Sequence, residues 1–339
     1  MKVSVIIANF NGERYLSVCL MSLLVSNYEN FEVLVVDDAS SDRSLEILRD
    51  YQKKDRRISI LTNPVNIGAA ASRNKAILVA KGETLVFLDN DTEVKKSWLD
   101  ELLKTLMNND QIGAVQALIL DYKKRDLIQM AGGLLIPQTG WIIPFHQWKK
   151  YSKIKNKLKE QGVVAISAAL AVKRKVIQKI GGFDEKEAVY TEDLDLCWRI
   201  WIAGYKVVLS PQSVIFHYTK SVEERGEMKA SYKQIYFHLA KNSFRSIIKN
   251  YEIGNVLKYL PVSIFINTGR GFFILFSKRK PDALVGSLEA IVWLFFNFSG
   301  TLKARTAVQV TRKFSDKYLM RNIFTTDNLI QVYNKYFTK

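Results

Sequence analysis

Over the first 120 positions, short apolar, β-branched runs that end abruptly in polar residues alternate with stretches in which apolar positions recur every three or four residues. Lys2 to Ala8, Phe31 to Val36, Ile58 to Leu61 and Thr84 to Leu88 have the composition of strands, whereas Tyr15 to Ser26, Ser44 to Lys53 and Ala69 to Ala80 have helical spacing. This alternation predicts an α/β protein with a mostly parallel sheet flanked by helices. A strand inside such a sheet is covered on both faces, so LVFLD at 85 to 89 needs no alternating polar positions. Ligands of such sheets gather beyond the carboxyl ends of the strands, which is where Asn9, Asp38 and the pair Asp89 and Asp91 fall.

Ile112 to Leu120 and Val163 to Val172 read as further strands, with GGLLIPQTGWIIPFHQW as a connection and a very basic stretch from Lys149 to Lys159. After GGFDE at 181 to 185, a helix is expected from Asp193 to Ala203, stopping at Gly204 and burying Leu196, Ile200 and Ala203, followed by a strand. From Glu223 onward the alternation ceases in favour of helical, aromatic and basic sequence. The reading is therefore a catalytic region over 1 to 222 and a helical region over 223 to 339.

A chain of 339 residues can bury one large core or two modest ones. Its net charge of +17 is uneven, since His217 to Lys339 holds 20 Lys and Arg against 8 Asp and Glu. Such a surplus suits nucleic acid or an anionic membrane. The basic residues are interleaved with apolar runs at 260 to 276 and 283 to 298 and form no nucleic-acid recognition motif, which argues against the first partner. A spanning helix needs about 20 predominantly apolar residues, and Asn267, Arg270 and Glu289 interrupt these runs. Helices lying in the headgroup layer, with Lys278, Arg279, Lys280, Lys303 and Arg305 against anionic lipid, fit better than a span. An ordinary helical core or an oligomer contact is the alternative. Cys19 and Cys197 lie in apolar runs without a CxxC pair and are expected to be buried, reduced thiols. MKVSVIIANFNG shows no cleavage signal, so a location inside the cell is expected.

Several groups have both a structural and a chemical reading. Asp89 and Asp91 could be a solvated turn, or two hard ligands for Mg²⁺ or Mn²⁺, whose remaining shell a phosphorylated substrate would fill. Asp37 and Asp38 could cap a helix or accept hydrogen bonds from a nucleoside. NIGAAASRN places Gly68 at a helix start with Arg73 and Asn74 in the next turns, an arrangement that could face phosphate, although it is neither a Walker loop nor GxGxxG. Glu192 and Asp193 would be favoured at a helix N-terminus in any case. His217, one of three histidines with His146 and His238, follows a VIF strand.

Taken in order, VSVIIANFNG, VLVVDDASSD, NIGAAASRN, FLDNDTEV, GGFDE, TEDLDLCWR and His217 resemble a family 2 glycosyltransferase of the A-type fold over residues 1 to 220. GGLLIPQTGW is similar to rhamnosyltransferase-like bacterial members. The resemblance implies a donor side made of Ala8, Asn9, Asp38, Gly68, Arg73, Asp89 and Asn90. It implies a metal site of Asp91, Asp89 and His217 holding Mg²⁺ or Mn²⁺, and Asp193 as catalytic base with Glu192 assisting. The implied activity is inverting transfer from a nucleotide-diphosphate sugar to a cell-surface glycan or polyprenyl-linked saccharide. With the tail's basic and apolar residues, the expected setting is the cytoplasmic face of the cell membrane, with an anionic membrane surface as partner, no nucleic acid, and a possible homo-oligomer. The competing readings are a nucleotidyltransferase acting on a sugar phosphate and a basic nucleic-acid-binding protein.

Overall fold

The computed structural model describes residues 1–218, 231–327 and 331. These fall into two units: Met1–Gly132 with Phe145–Ile200 and Tyr205–Lys220, and Gly133–Pro144 with Trp201–Gly204 and Ser221–Lys339. The expected boundary at 222/223 lies outside the described residues.

In the first unit, β1 (Val3–Asn9), α1 (Glu13–Leu24), β2 (Phe31–Asp37), α2 (Ser44–Lys54), β3 (Ile58–Thr62), α3 (Ala69–Val79) and β4 (Thr84–Asp89) follow one another as the sequence predicts. They form parallel neighbours in the order β3-β2-β1-β4. The register aligns their carboxyl ends, with Asn9 opposite Asp37, Asp37 opposite Thr62 and Ala8 opposite Asp89. Leu85 to Leu88 are wholly buried, as a strand covered on both faces requires.

Beyond β4 the sheet becomes mixed. β5 (Thr92–Val94), α4 (Trp98–Met107), β6 (Ile112–Asp121), β7 (Ile128–Met130), α5 (Tyr151–Ile154), β10 (Ala169–Lys173), α6 (Arg174–Ile180), α7 (Glu192–Ile202) and β11 (Lys206–His217) belong to this half. β10 runs antiparallel to both β4 and β6, and β11 lies parallel to β6 and antiparallel to β5. The expected strand over Val163 to Val172 is thus only half strand. Val163, Val164 and Ala165 are buried, but they cross toward β11, where the Val163 N–H meets the Val207 carbonyl at 2.9 Å. Apolar composition reports burial, which a crossing segment shares with a paired strand. The stripe Leu196, Ile200 and Ala203 is buried, and Gly204 ends its helix at a φ of +90°, where a β-carbon would be strained. Cys19 and Cys197 are free and buried.

In the second unit, GGLLIPQTGWIIP is a β-hairpin, β8 (Gly133–Leu135) with β9 (Ile142–Pro144), where sequence alone suggested a plain connection. Its helices are α8 (Tyr232–Asn250), α9 (Ile253–Lys278), α10 (Pro281–Phe296), α11 (Phe298–Val310) and α12 (Asp316–Asn322). The hairpin is tied to them by the Trp141 indole N–H donating to Ser243 Oγ at 2.9 Å and the Tyr251 hydroxyl donating to the Pro137 carbonyl at 2.9 Å. Ser231 opens α8 with a capping box shared with Gln234.

Candidate active site

Parallel strands must end together before their loops can share a site, and here β1, β2 and β3 deliver Asn9, Asp37, Asp38 and Asn63 to one edge. Asp37 is structural: its carboxylate accepts from Asn9 Nδ2 at 2.9 Å and from the Ser40 hydroxyl at 2.7 Å, fixing a turn in which Ala39 takes a φ of 61°. Asp38 accepts from Asn63 Nδ2 at 2.8 Å and from the backbone N–H groups of Ile67 and Gly68 at 2.9 and 2.8 Å. It therefore gathers β2, β3 and the start of α3, which explains why an acid and NIGA occur together. Gly68 holds a φ of +87°, a conformation open to glycine at little cost.

Asp89 closes β4, and Asn90 and Asp91 form the turn before β5. Ligand atoms of Asp89, Asp91 and His217 lie within 4.8 Å of one another. His217 reaches this turn because β11 and β5 are antiparallel neighbours, with His217 opposite Thr92. Its Nε2 is 3.1 Å from Asp91 Oδ1 and 3.9 Å from Asp89 Oδ2, while Nδ1 faces Gln129 Oε1 at 2.9 Å. Burial works against an imidazolium, but Asp91 and Asp89 outweigh it and raise the His217 pKa. Two carboxylates and an imidazole oriented through its far nitrogen form a donor set able to hold a divalent cation. Beneath them, Cys19 Sγ lies 3.6 Å from the Asp89 carbonyl, and burial pushes its thiol up to about 12, so it is inert.

Asn90 is tied back to β1, its Nδ2 donating to Asn9 Oδ1 at 2.7 Å. A β-carbon on Gly12 would lie 2.2 Å from Asn9 Oδ1 and 2.4 Å from Asn90 Nδ2. Gly12→Ala is expected to break this bond and cost about 1–3 kcal/mol, read by urea denaturation; an unchanged midpoint would refute the close approach.

Arg73 links the acidic turn to α7. Its Nη2 donates to Asp89 Oδ1 at 2.8 Å and its Nη1 to Glu192 Oε1 at 3.1 Å, and the guanidinium stands 5.3 Å from the Phe183 ring centroid. The side chain is buried; burial opposes its charge, but Asp89 and Glu192 prevail and its pKa is raised. Asn74, next in the chain, donates to the Phe183 carbonyl at 2.9 Å and accepts from the Phe183 N–H at 2.8 Å, while Gly182 lies so close that a β-carbon would sit 2.2 Å from Asn74 Oδ1. GGFDE is thus the turn that holds α7 against α3.

Glu192 is buried, and among the described residues its Oε2 has no hydrogen-bond partner. Its pKa is raised by burial against the pull of Arg73. Asp193, partly exposed, accepts from the Ser167 N–H at 3.0 Å and from its own helix through the Leu194 N–H at 2.8 Å. Desolvation, then the neighbouring Glu192 charge, push its pKa up to about 7, against those two donors and Arg73. A carboxylate titrating near neutrality is suited to take a proton and release it again. Behind it, Asp184, Glu187 and Asp195 cluster, and Arg199 binds Asp195 at 2.7 Å and the Ile180 and Gly182 carbonyls, which buttresses the same turn.

The structure joins Asn9, Asp38 and Gly68 in one hydrogen-bonded edge, with Asn90 tied to Asn9. It joins Asp89, Asp91 and His217 in a second group, and Arg73 connects Asp89 to Glu192, beside Asp193. Ala8 contributes backbone register between β2 and β4. Sequence reasoning missed Asn63, Ser167, Gln129 and Gly12. Asn63 lies just past a strand end and was open to the same rule as Asn9, whereas nothing in the sequence marks Ser167 or Gln129, which reach the site only through antiparallel and crossing segments.

A mixed sheet whose parallel half ends in a polar edge of Asn9, Asp38 and Gly68, with an acidic turn and a carboxylate-bearing helix beyond it, has the A-type glycosyltransferase fold. The chain belongs to glycosyl transferase family 2, whose pattern matches residues 4–181, just over half its length. It is 38% identical over 105 residues to the putative teichuronic acid biosynthesis glycosyltransferase TuaG of Bacillus subtilis, covering 31% of this chain and 42% of that one. The chain covers less than half the length of the first curated relatives it matches, 43% and 35%. S. aureus TarS 1-349 in complex with UDP-GlcNAc aligns with a TM-score of 0.59 at 17% identity, over 92% of this chain and 91% of that one. The mannosyltransferase PcManGT of Pyrobaculum calidifontis, in complex with GDP-Man and Mn²⁺, aligns with a TM-score of 0.55 at 17% identity, over 99% and 88%.

Proposed function

We propose that the protein is an inverting, metal-dependent glycosyltransferase that moves a sugar from a nucleotide-diphosphate sugar to a hydroxyl of a cell-surface glycan precursor. The observation that carries this reading is the Arg73 bridge, which couples Asp89 of the acidic turn to Glu192, beside a carboxylate titrating near neutrality. Asn9, Asp38 and Gly68 form the nucleoside side, where Asp38 offers acceptor oxygens to a base or ribose. Asp91, Asp89 and His217 would hold the Mg²⁺ or Mn²⁺ ion, which when bound supplies positive charge against a departing diphosphate. Asp193 takes the proton of the acceptor hydroxyl as its oxygen attacks the anomeric carbon opposite the leaving group, so the configuration inverts. Glu192 keeps Arg73 in place and raises the basicity of Asp193.

The acceptor we favour is a saccharide on a polyprenyl carrier at the inner face of the cell membrane, in accord with the naming of TuaG as a putative teichuronic acid biosynthesis glycosyltransferase and with the basic helical unit. Rhamnose is one donor sugar to test. Nucleoside diphosphate is expected to appear only when donor, acceptor and metal are all present; release of pyrophosphate from a nucleoside triphosphate would instead indicate a nucleotidyltransferase. Chelation by EDTA is expected to lower turnover at least a hundredfold, because diphosphate departure loses its counter-charge, and to abolish the rise in melting temperature on adding UDP- or GDP-sugars. Asp91→Ala should reproduce both effects, and activity undiminished by EDTA would remove the metal from the scheme.

A further inference from the structure

On α9 and α10 several polar side chains face inward and the largest apolar ones face outward, although elsewhere in the helical unit Phe244 and Tyr251 are buried. On α9, Leu257, Phe265 and Phe276 are 71%, 78% and 80% exposed, while the opposite side buries Ser263 and Asn267 at 0% and 3%. At 100° per residue Leu257, Phe265, Phe272 and Phe276 share one face, and Val256, Ser263, Asn267, Gly271 and Ile274 share the other. α10 repeats the inversion, with Phe295 and Phe296 78% and 76% exposed and Ala283, Gly286, Ser287 and Ala290 inside.

The small inward residues let the helices approach backbone to backbone. A β-carbon on Gly271 would meet Leu284 Cα at 2.8 Å, one on Gly286 would meet the Lys233 carbonyl at 2.2 Å, and Ser287 Oγ donates to the Asn267 carbonyl at 3.1 Å. Three of the polar residues that interrupt these runs have partners on the inner or flanking sides. Asn267 donates to the Ser263 carbonyl at 2.9 Å, Arg270 stacks 4.2 Å from the Trp141 ring, and Glu289 pairs with Lys233 at 2.7 Å. Water offers no reason to expose phenylalanine while burying serine and asparagine, whereas hydrocarbon does.

We infer that the outer apolar face of the α9–α10 pair docks flat on an anionic lipid bilayer. The face extends from Leu257 to Phe276, roughly 28 Å at 1.5 Å per residue; by length and composition α9 is also long and apolar enough to cross a membrane, so it is the charge at its end that sets it flat. Lys278, Arg279 and Lys280 are exposed at the turn between the helices, and Lys303 is exposed on α11. Three consecutive cations at the turn oppose insertion tip first and complement anionic headgroups. Arg305, expected at this surface from sequence, instead donates to the Ile248 and Tyr251 carbonyls and takes no part. The inference gives a surface to the membrane setting proposed above.

Cosedimentation of the full chain, without any nucleotide sugar, with phosphatidylglycerol-containing or pure phosphatidylcholine vesicles tests it independently of catalysis. Binding is expected to the anionic vesicles, weakened at least tenfold by about 0.5 M salt as exposed charges are screened. The triple change Phe265→Ser, Phe272→Ser, Phe276→Ser, at exposed positions that leave the fold intact by circular dichroism, is expected to cut partitioning tenfold or more. Lys278→Glu with Arg279→Glu and Lys280→Glu is expected to cut it by on the order of a hundredfold on anionic vesicles. Equal partitioning of the serine variant and wild type would overturn the inference. So would a dimer that persists with vesicles present and is dissolved by the serine changes.

Discussion

Asp193→Asn is expected to lower turnover by a factor of about 10² to 10⁴, the usual range for loss of a positioned general base, while the donor KM changes little. The carboxylate contacts Ser167 and Leu194 rather than the Asp38 edge, so its loss should spare the nucleoside side. The wild-type rate should rise with pH through about 7, where Asp193 loses its proton, and the Asn variant should lack that limb. Stability moves the other way. The folded pKa lies above the ordinary value of 3.8, so folding favours the protonated acid. That contribution is fully present below the ordinary value and is lost as pH rises through about 7. At pH 8 the neutral Asn variant should therefore be more stable than wild type, by about 1–3 kcal/mol, with the difference vanishing toward pH 4. A variant that is inactive, correctly folded and more stable at alkaline pH would be hard to explain by structural damage; wild-type turnover in Asp193→Asn would remove the assigned base.

Arg73→Met is expected to be the most disruptive single change in the first unit. It leaves Asp89 and Glu192 facing each other without their shared cation, and breaking a buried pair by removing one partner costs about 3–5 kcal/mol. Glu192 is the more buried of the two, with side-chain exposures of 9% against 30%, so it should become protonated first. Arg73→Met combined with Glu192→Gln should accordingly recover part of the lost stability in urea denaturation while remaining impaired in transfer. If the double variant is no more stable than Arg73→Met alone, the bridge is not the source of the loss. Arg73→Lys should recover less than full activity, because an ammonium lacks the fork that reaches both carboxylates.

Much of the catalytic half was legible because its order follows from local rules. Apolar runs of strand length alternating with helical periodicity fix the βα succession from Lys2 to Asp89, and a parallel sheet then places Asn9, Asp38 and Asp89 at one edge. Those rules fail where neighbours in space are remote in sequence. Val163 to Val172 has a strand's composition along its length, yet only Ala169–Lys173 pairs, since pairing depends on β4 and β6 on either side. Ser167 and Gln129 were invisible for the same reason: their roles consist of touching Asp193 and His217, and no local pattern records a contact made across the fold.

By its sequence alone the chain determined its α/β class, the residues that end each parallel strand and the uneven placement of positive charge, because each depends on neighbours within a few positions. Only the tertiary structure decided that Arg73 joins Asp89 to Glu192, that His217 completes the acidic turn, and that α9 and α10 turn Phe outward and Ser and Asn inward. Hydropathy measures how apolar a helix is, whereas the direction each face points is set by the helices packed against it.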